Sequence, residues 1–217
     1  MLKKIENKTL NERAYEELRA GLTAGRFEPA QPFIVRALAE AYGISATPIR
    51  EALQRLVAER ILEVQPNRSI MVPPMTEERY AELLMLRIEL EGLATQLAAQ
   101  RLAPRQIAAL ASLITKARKA IEKADSNAYF AVNRDFHFMI YESCGSPELI
   151  KLIQDLWLKC GPFLTRMFGD EHFREHANDQ HDNILSALDR RDGAAARAYM
   201  VQDISDAAVA LKKVMFK

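Results

Sequence analysis

The stretch GISATPIREAL, residues 43–53, decides how this chain is read. Gly43 closes one helix, because glycine takes the left-handed conformation at little cost. Ser45 stands where the next helix would be capped, and Pro48 falls in that helix's first turn, where proline is tolerated. Ile49, Leu53 and Leu56 then recur at i, i+4 and i+7, which defines a buried face. The opposite face carries Ala46, Thr47, Arg50 and Gln54, gathered into one stripe by a period of about 3.6 residues.

Upstream, Ala14, Leu18 and Leu22 predict a helix over 11–24. A loop GRFEPAQPF follows at 25–33, and then a short helix over 35–42. Downstream, Leu62 and Val64, then Ile70 and Val72, alternate on either side of a Pro-Asn-Arg-Ser turn and predict a hairpin. Pro73 and Pro74 end it. Three helices and a hairpin give a winged helix-turn-helix layout for residues 1–75.

Strand signals stop there. Thr76 caps a helix to about 100, and further helices are expected over 104–123, 127–143, 147–160, 171–190 and 193–213, with Pro162 as a break between 147–160 and 171–190. Residues 76–217 are therefore expected to form an antiparallel all-helical bundle, and the fold class is mainly α.

The totals exclude several classes. With 217 residues and 49% apolar side chains the chain suits folded domains. No apolar run approaches the ~20 residues of a bilayer span, and the N-terminus lacks a signal-like apolar centre. The expected location is cytoplasmic, with no membrane partner. Cys144 and Cys160 read as buried free thiols. Residues 1–75 carry 11 Lys and Arg against 9 Asp and Glu, leaving 19 against 20 beyond. Any nucleic-acid binding must therefore come from charge focused on one face.

Such a face exists on the third helix. A major groove about 12 Å wide admits one helix, and Arg50 and Gln54 have the donors to read base edges. Ser45 and Thr47 sit where a helix start can meet phosphates, and Arg68 in the hairpin turn is placed for backbone or minor groove. Each arginine alone also reads as a solvated charge; the layout favours double-stranded DNA.

Polar residues also punctuate the apolar faces of the bundle. His137 shares its face with Ile140, Tyr141 and Cys144, and Asn133 lies one turn before it. His181 aligns with Ile184, Leu185 and Leu188, and Asp203 aligns with Ala196, Tyr199, Met200, Ala207 and Ala210. A buried unpaired carboxylate is costly. One solution is a hydrogen-bonded network, with Asp203 orienting His181; another is a shared divalent ion, Zn, Ni or Mn. His172 and His176, four apart in polar surroundings, read as solvated surface residues. Arg87 and Glu91 read as a helix ion pair.

The run VRALAEAYGISATPIREALQRLVAERILEV (35–64) resembles the DNA-binding domain of the GntR family of bacterial transcription regulators. RIELEGLA (87–94), NRDFH (133–137) and HDNILSALDRRD (181–192) resemble its FadR-type branch, which carries the FCD effector domain. The resemblance implies DNA contacts at Arg36, Ser45, Thr47, Arg50 and Arg68. Ala46 departs from the usual Arg or Lys, and Ser69 from the glycine usual after the wing arginine. It implies metal ligands at Asn133, His137, His181 and Asp203, where Asn133 replaces the usual Asp and Asp203 the usual last His. It implies an effector contact at Arg87. The expected function is a ligand-responsive repressor, not an enzyme. It would bind a palindromic operator as a homodimer and be controlled by a small organic acid. The rival is a metal-dependent hydrolase using the His/Asp set.

Overall fold

The protein is described by a computed structural model covering residues 9–216. The first eight residues, which belong to the segment read above for a signal, lie outside the described residues. The chain divides into two compact units between Pro74 and Met75.

The first unit holds α1 (Leu10–Thr23), α2 (Val35–Tyr42), α3 (Ala46–Ala58), β1 (Glu63–Val64) and β2 (Ile70–Met71). A capping box starts α1: Glu12 N donates to Thr9 Oγ1 at 3.2 Å, and Thr9 N donates to Glu12 Oε2 at 2.9 Å. Helix α1 packs on α3, and Leu18 and Leu22 of the one and Ile49, Leu53 and Leu56 of the other are fully buried. Burying each such side chain contributes about 1.5–3 kcal/mol before entropy is counted. Gly43 ends α2 at φ 65°, as expected, so α3 can leave at a new angle.

The hairpin pairs Glu63 with Met71 and Val64 with Ile70. Its apolar alternation is only half inward: Leu62 and Val72 are buried, whereas Val64 is 54% exposed. Two-residue strands leave their tip beyond the core. The loop before α2 adds to this sheet, since Pro32 bridges Met71 and Phe33 N donates to Ile70 O at 2.8 Å. Proline and a short run hide that strand from a periodicity reading.

The second unit is helical: α4 (Glu77–Ala98), α5 (Pro104–Glu122), α6 (Ser126–Glu142), α7 (Pro147–Leu164), a 3-10 turn (Thr165–Gly169), α8 (Glu171–His176), α9 (Asp179–Asp189) and α10 (Gly193–Met215). Helix α4 packs on α10, α7 and α6, α5 packs on α6 and α9, and α9 packs on α10. Gly193 lets α10 start against the end of α4, because a Cβ there would lie 2.8 Å from the Gln96 carbonyl oxygen.

Two expectations need correction. Pro162 does not interrupt α7, which runs on through it to Leu164. Burial of Cys160, Phe163 and Leu164 holds the helix there, and the chain tightens into the 3-10 turn just beyond. The helix expected over 171–190 is two helices, broken at Ala177 and Asn178. The Asn178 side chain is engaged elsewhere, as shown below, and does not cap α9.

Candidate functional site

On the first unit, Arg36, Ser45, Thr47, Arg50, Gln54 and Arg68 are all exposed. The side chains of Arg36, Arg50 and Arg68 enter no hydrogen bond or ion pair among the described residues. Arg55 differs, although it shares α3 with Arg50. Its guanidinium lies over the Tyr15 ring at 3.7 Å and its Nε donates to Glu59 Oε1 at 3.1 Å. Helix α3 therefore spends one arginine on packing and keeps the other for solvent or a partner. Ser45 holds the N-cap position of α3 but makes no capping hydrogen bond, contrary to the sequence expectation. Its hydroxyl and the first-turn N–H groups remain available to an anion such as a phosphate. Arg68 sits at φ 65° at the tip of the turn, which Gln65 N closes by donating to Ser69 O at 2.8 Å. Backbone strain of this kind is tolerated where the neighbouring bonds over-determine it.

In the second unit, His137, His181 and Asp203 come together from α6, α9 and α10, with one donor atom from each within 4.8 Å of the others. His137 Nε2 is 3.4 Å from Asp203 Oδ2, and His181 Nε2 is 3.5 Å from Asp203 Oδ1. The opposite ring nitrogens are both occupied. His137 Nδ1 lies 3.0 Å from the Tyr141 hydroxyl, which donates its proton to Glu91 Oε2 at 2.5 Å. The tyrosine oxygen therefore accepts from His137 Nδ1–H. His181 Nδ1 lies 3.2 Å from Asn178 Oδ1 and donates to it. Both imidazoles thus turn an Nε2 lone pair toward the same carboxylate.

Burial holds His137 down to about 3 and His181 well below its ordinary value, so both rings are neutral. Burial pushes Asp203 up to about 7. Three lone-pair donors facing one another call for a cation or a proton between them. The donor set fits a divalent ion of the borderline class, and Tyr141 and Asn178 already hold the far nitrogen of each imidazole.

His137 and Asp203 line a cavity of about 470 Å³ together with Arg87, Asn133, Tyr129 and Trp157, while His181 sits buried behind Asp203. Asn133 shares the cavity but is only half-buried. Arg87 is buried and bound by Glu91, Nε to Oε1 at 2.6 Å and Nη2 to Oε2 at 3.4 Å. Burial opposes its charge, but the adjacent carboxylate more than offsets this and raises its pKa. The Trp157 Nε1–H is buried with no acceptor among the described residues. Asn178 and the Tyr141–Glu91 pair are partners of the histidines that the apolar spacing alone does not single out. Their signals were there: Asn178 lies three residues before His181, and Tyr141 lies four after His137.

A helix with one unpaired arginine on its exposed stripe, a hairpin with an arginine at its tip, and a separate helical unit around a cavity together fit a two-domain DNA-binding transcription regulator. Residues 10–72 match the bacterial regulatory proteins of the gntR family, and residues 82–206 match the FCD domain. The chain belongs to the GntR family, in its FadR-type branch with an FCD domain. It is 34% identical over 197 residues to the HTH-type transcriptional regulator McbR of Escherichia coli (strain K12), covering 89% of each chain. It is 27% identical over 208 residues to the HTH-type transcriptional repressor GlaR of the same strain, covering 88% of this chain and 90% of that one. The solved structure of E. coli McbR/YncC superposes with a TM-score of 0.89 at 31% identity, covering 95% of this chain and 99% of that chain. The family and these relatives are transcription regulators rather than enzymes, which removes the hydrolase reading. No helix among the described residues is long and apolar enough to cross a membrane.

Proposed function

We propose that the chain is a ligand-responsive repressor acting as a homodimer in the bacterial cytoplasm. Its first unit, up to Pro74, binds a palindromic operator, and its second, from Met75 on, senses a small organic acid. Arg50 and Gln54 read base edges in the major groove. Ser45 and Thr47 meet phosphates at the start of α3, with Arg36 and Arg68 on the flanking backbone. Two identical recognition helices reach successive half-sites, which is why a dimer is required.

The observation that carries the sensing role is the convergence of the His137 and His181 Nε2 atoms on Asp203, at a cavity that Arg87 also lines. His137, His181 and Asp203 would hold a divalent ion (Zn, Ni or Mn), with Asn133 as a neutral fourth donor. Such an ion supplies a Lewis-acid centre for an oxygen of the organic acid. Arg87 faces the same cavity and attracts its carboxylate. A ligand that prefers the arrangement of DNA heads unable to bind lowers operator affinity by linkage.

The test is a gel-shift titration of genomic fragments with and without candidate organic acids, alongside elemental analysis. A salt-sensitive preference for particular fragments, weakened by one acid, is expected. Equal binding to all fragments under every condition would defeat the DNA reading, and an ion-free protein would defeat the metal.

A further inference from the structure

The short helix α8 carries a second set of ligand atoms. His172, Glu175 and His176 are exposed, and one donor atom from each lies within 4.8 Å of the others. Histidines four apart on a helix lie one above the other, and here the ring centroids are 4.6 Å apart. Glu175, three residues after His172, adds a carboxylate oxygen on the same side.

Chance neighbours on a polar surface would show no further order, and these do. The Asp179 carboxylate oxygen Oδ2 lies 2.9 Å from His176 Nδ1. A carboxylate holding Nδ1–H leaves Nε2 with its lone pair outward, the arrangement that supports imidazole as a metal ligand. The neighbouring cation is turned away, since Arg174 Nη1 donates to the Phe168 carbonyl at 2.6 Å. Both histidines and Asp179 also line the cavity described above.

We infer that His172, Glu175 and His176 form a second divalent transition-metal site on the cavity wall, with Asp179 as the residue that orients His176. Two imidazoles and one carboxylate suit Zn²⁺ or Ni²⁺ over Mg²⁺, which prefers oxygen and keeps its waters. Three protein donors leave at least one coordination position for water or for an acceptor atom of a molecule in the cavity. The site is independent of the buried donors, because no residue is shared.

Zn²⁺ titration by calorimetry, with elemental analysis after desalting, tests this on the full chain. The unaltered protein should take up two ions per chain, one of them lost in His172→Ala/His176→Ala. His137→Ala/His181→Ala should keep the ion on α8. Asp179→Asn should weaken that ion about tenfold or more, which a role in folding alone would not produce. Two ions retained by His172→Ala/His176→Ala would overturn the inference. So would a single ion lost only in His137→Ala/His181→Ala, which leaves the proposed sensing site standing. A single ion lost only in His172→Ala/His176→Ala would uphold the inference and sink the buried metal instead.

Discussion

Tyr141 stands between Glu91 and His137, donating to the carboxylate at 2.5 Å and accepting from the imidazole at 3.0 Å. One phenol thus fixes which nitrogen of His137 faces Asp203. Tyr141→Phe keeps the ring and removes this link, along with the hydroxyl's weak 3.4 Å contact to Met200 Sδ. Divalent-ion affinity at the buried set should fall by about ten- to a hundredfold, the usual consequence of losing such a partner. Calorimetry against Zn²⁺ measures it. An unchanged dissociation constant in a folded variant would mean that His137 takes its orientation from packing alone.

The same set predicts a pH dependence. Burial keeps His137 down at about 3 and raises Asp203 to about 7. Between pH 8 and 6 one donor, Asp203, takes up a proton in the ion-free protein, and the histidines take up none. Ion affinity is therefore complete above pH 7 and falls below it, by about tenfold per pH unit as the proton competes. In His172→Ala/His176→Ala, which keeps only the buried set, proton release on Zn²⁺ binding should rise toward one per ion at pH 6. Release of two or three, or tighter binding in acid, would contradict the assigned donors.

On the DNA side, Arg50 and Arg68 are expected to act differently. Arg50→Ala should cost about 1–3 kcal/mol of specific binding and relax base preference. Arg68→Ala should weaken operator and random DNA together, lowering the salt slope by about one. Fluorescence anisotropy at several salt concentrations separates the two. If Arg50→Ala leaves the ratio of operator to random binding intact, that side chain reads no base.

Much of this architecture could be read in the residues, because the deciding signals were local. Gly43, Thr76 and Pro104 punctuate the helices where the structure places their ends. The inward faces of His137 and His181 followed from their spacing against Ile140 and Ile184. What stayed hidden depended on tertiary contacts. Pro162 reads locally as a break, yet burial of Phe163 and Leu164 carries α7 past it. The break between α8 and α9 lacks glycine or proline, and Asn178 there serves His181 rather than its own helix. The bridge of Pro32 to the hairpin joins residues too far apart for any window to link.

The Arg87–Glu91 pair gives the last expectation, on stability. Both side chains are buried, and the glutamate also receives Tyr141. Glu91→Gln preserves the shape and leaves the guanidinium without its counter-charge. Breaking a buried pair from one side costs about 3–5 kcal/mol, so denaturant midpoints should drop sharply. An anion that enters the cavity can restore part of that charge balance. Millimolar succinate should therefore raise the melting temperature of the variant more than that of the parent protein, because ligand binding to the folded state stabilises by mass action. Equal shifts in both proteins would place the anion away from Arg87, and the arginine would then belong to the helix packing alone.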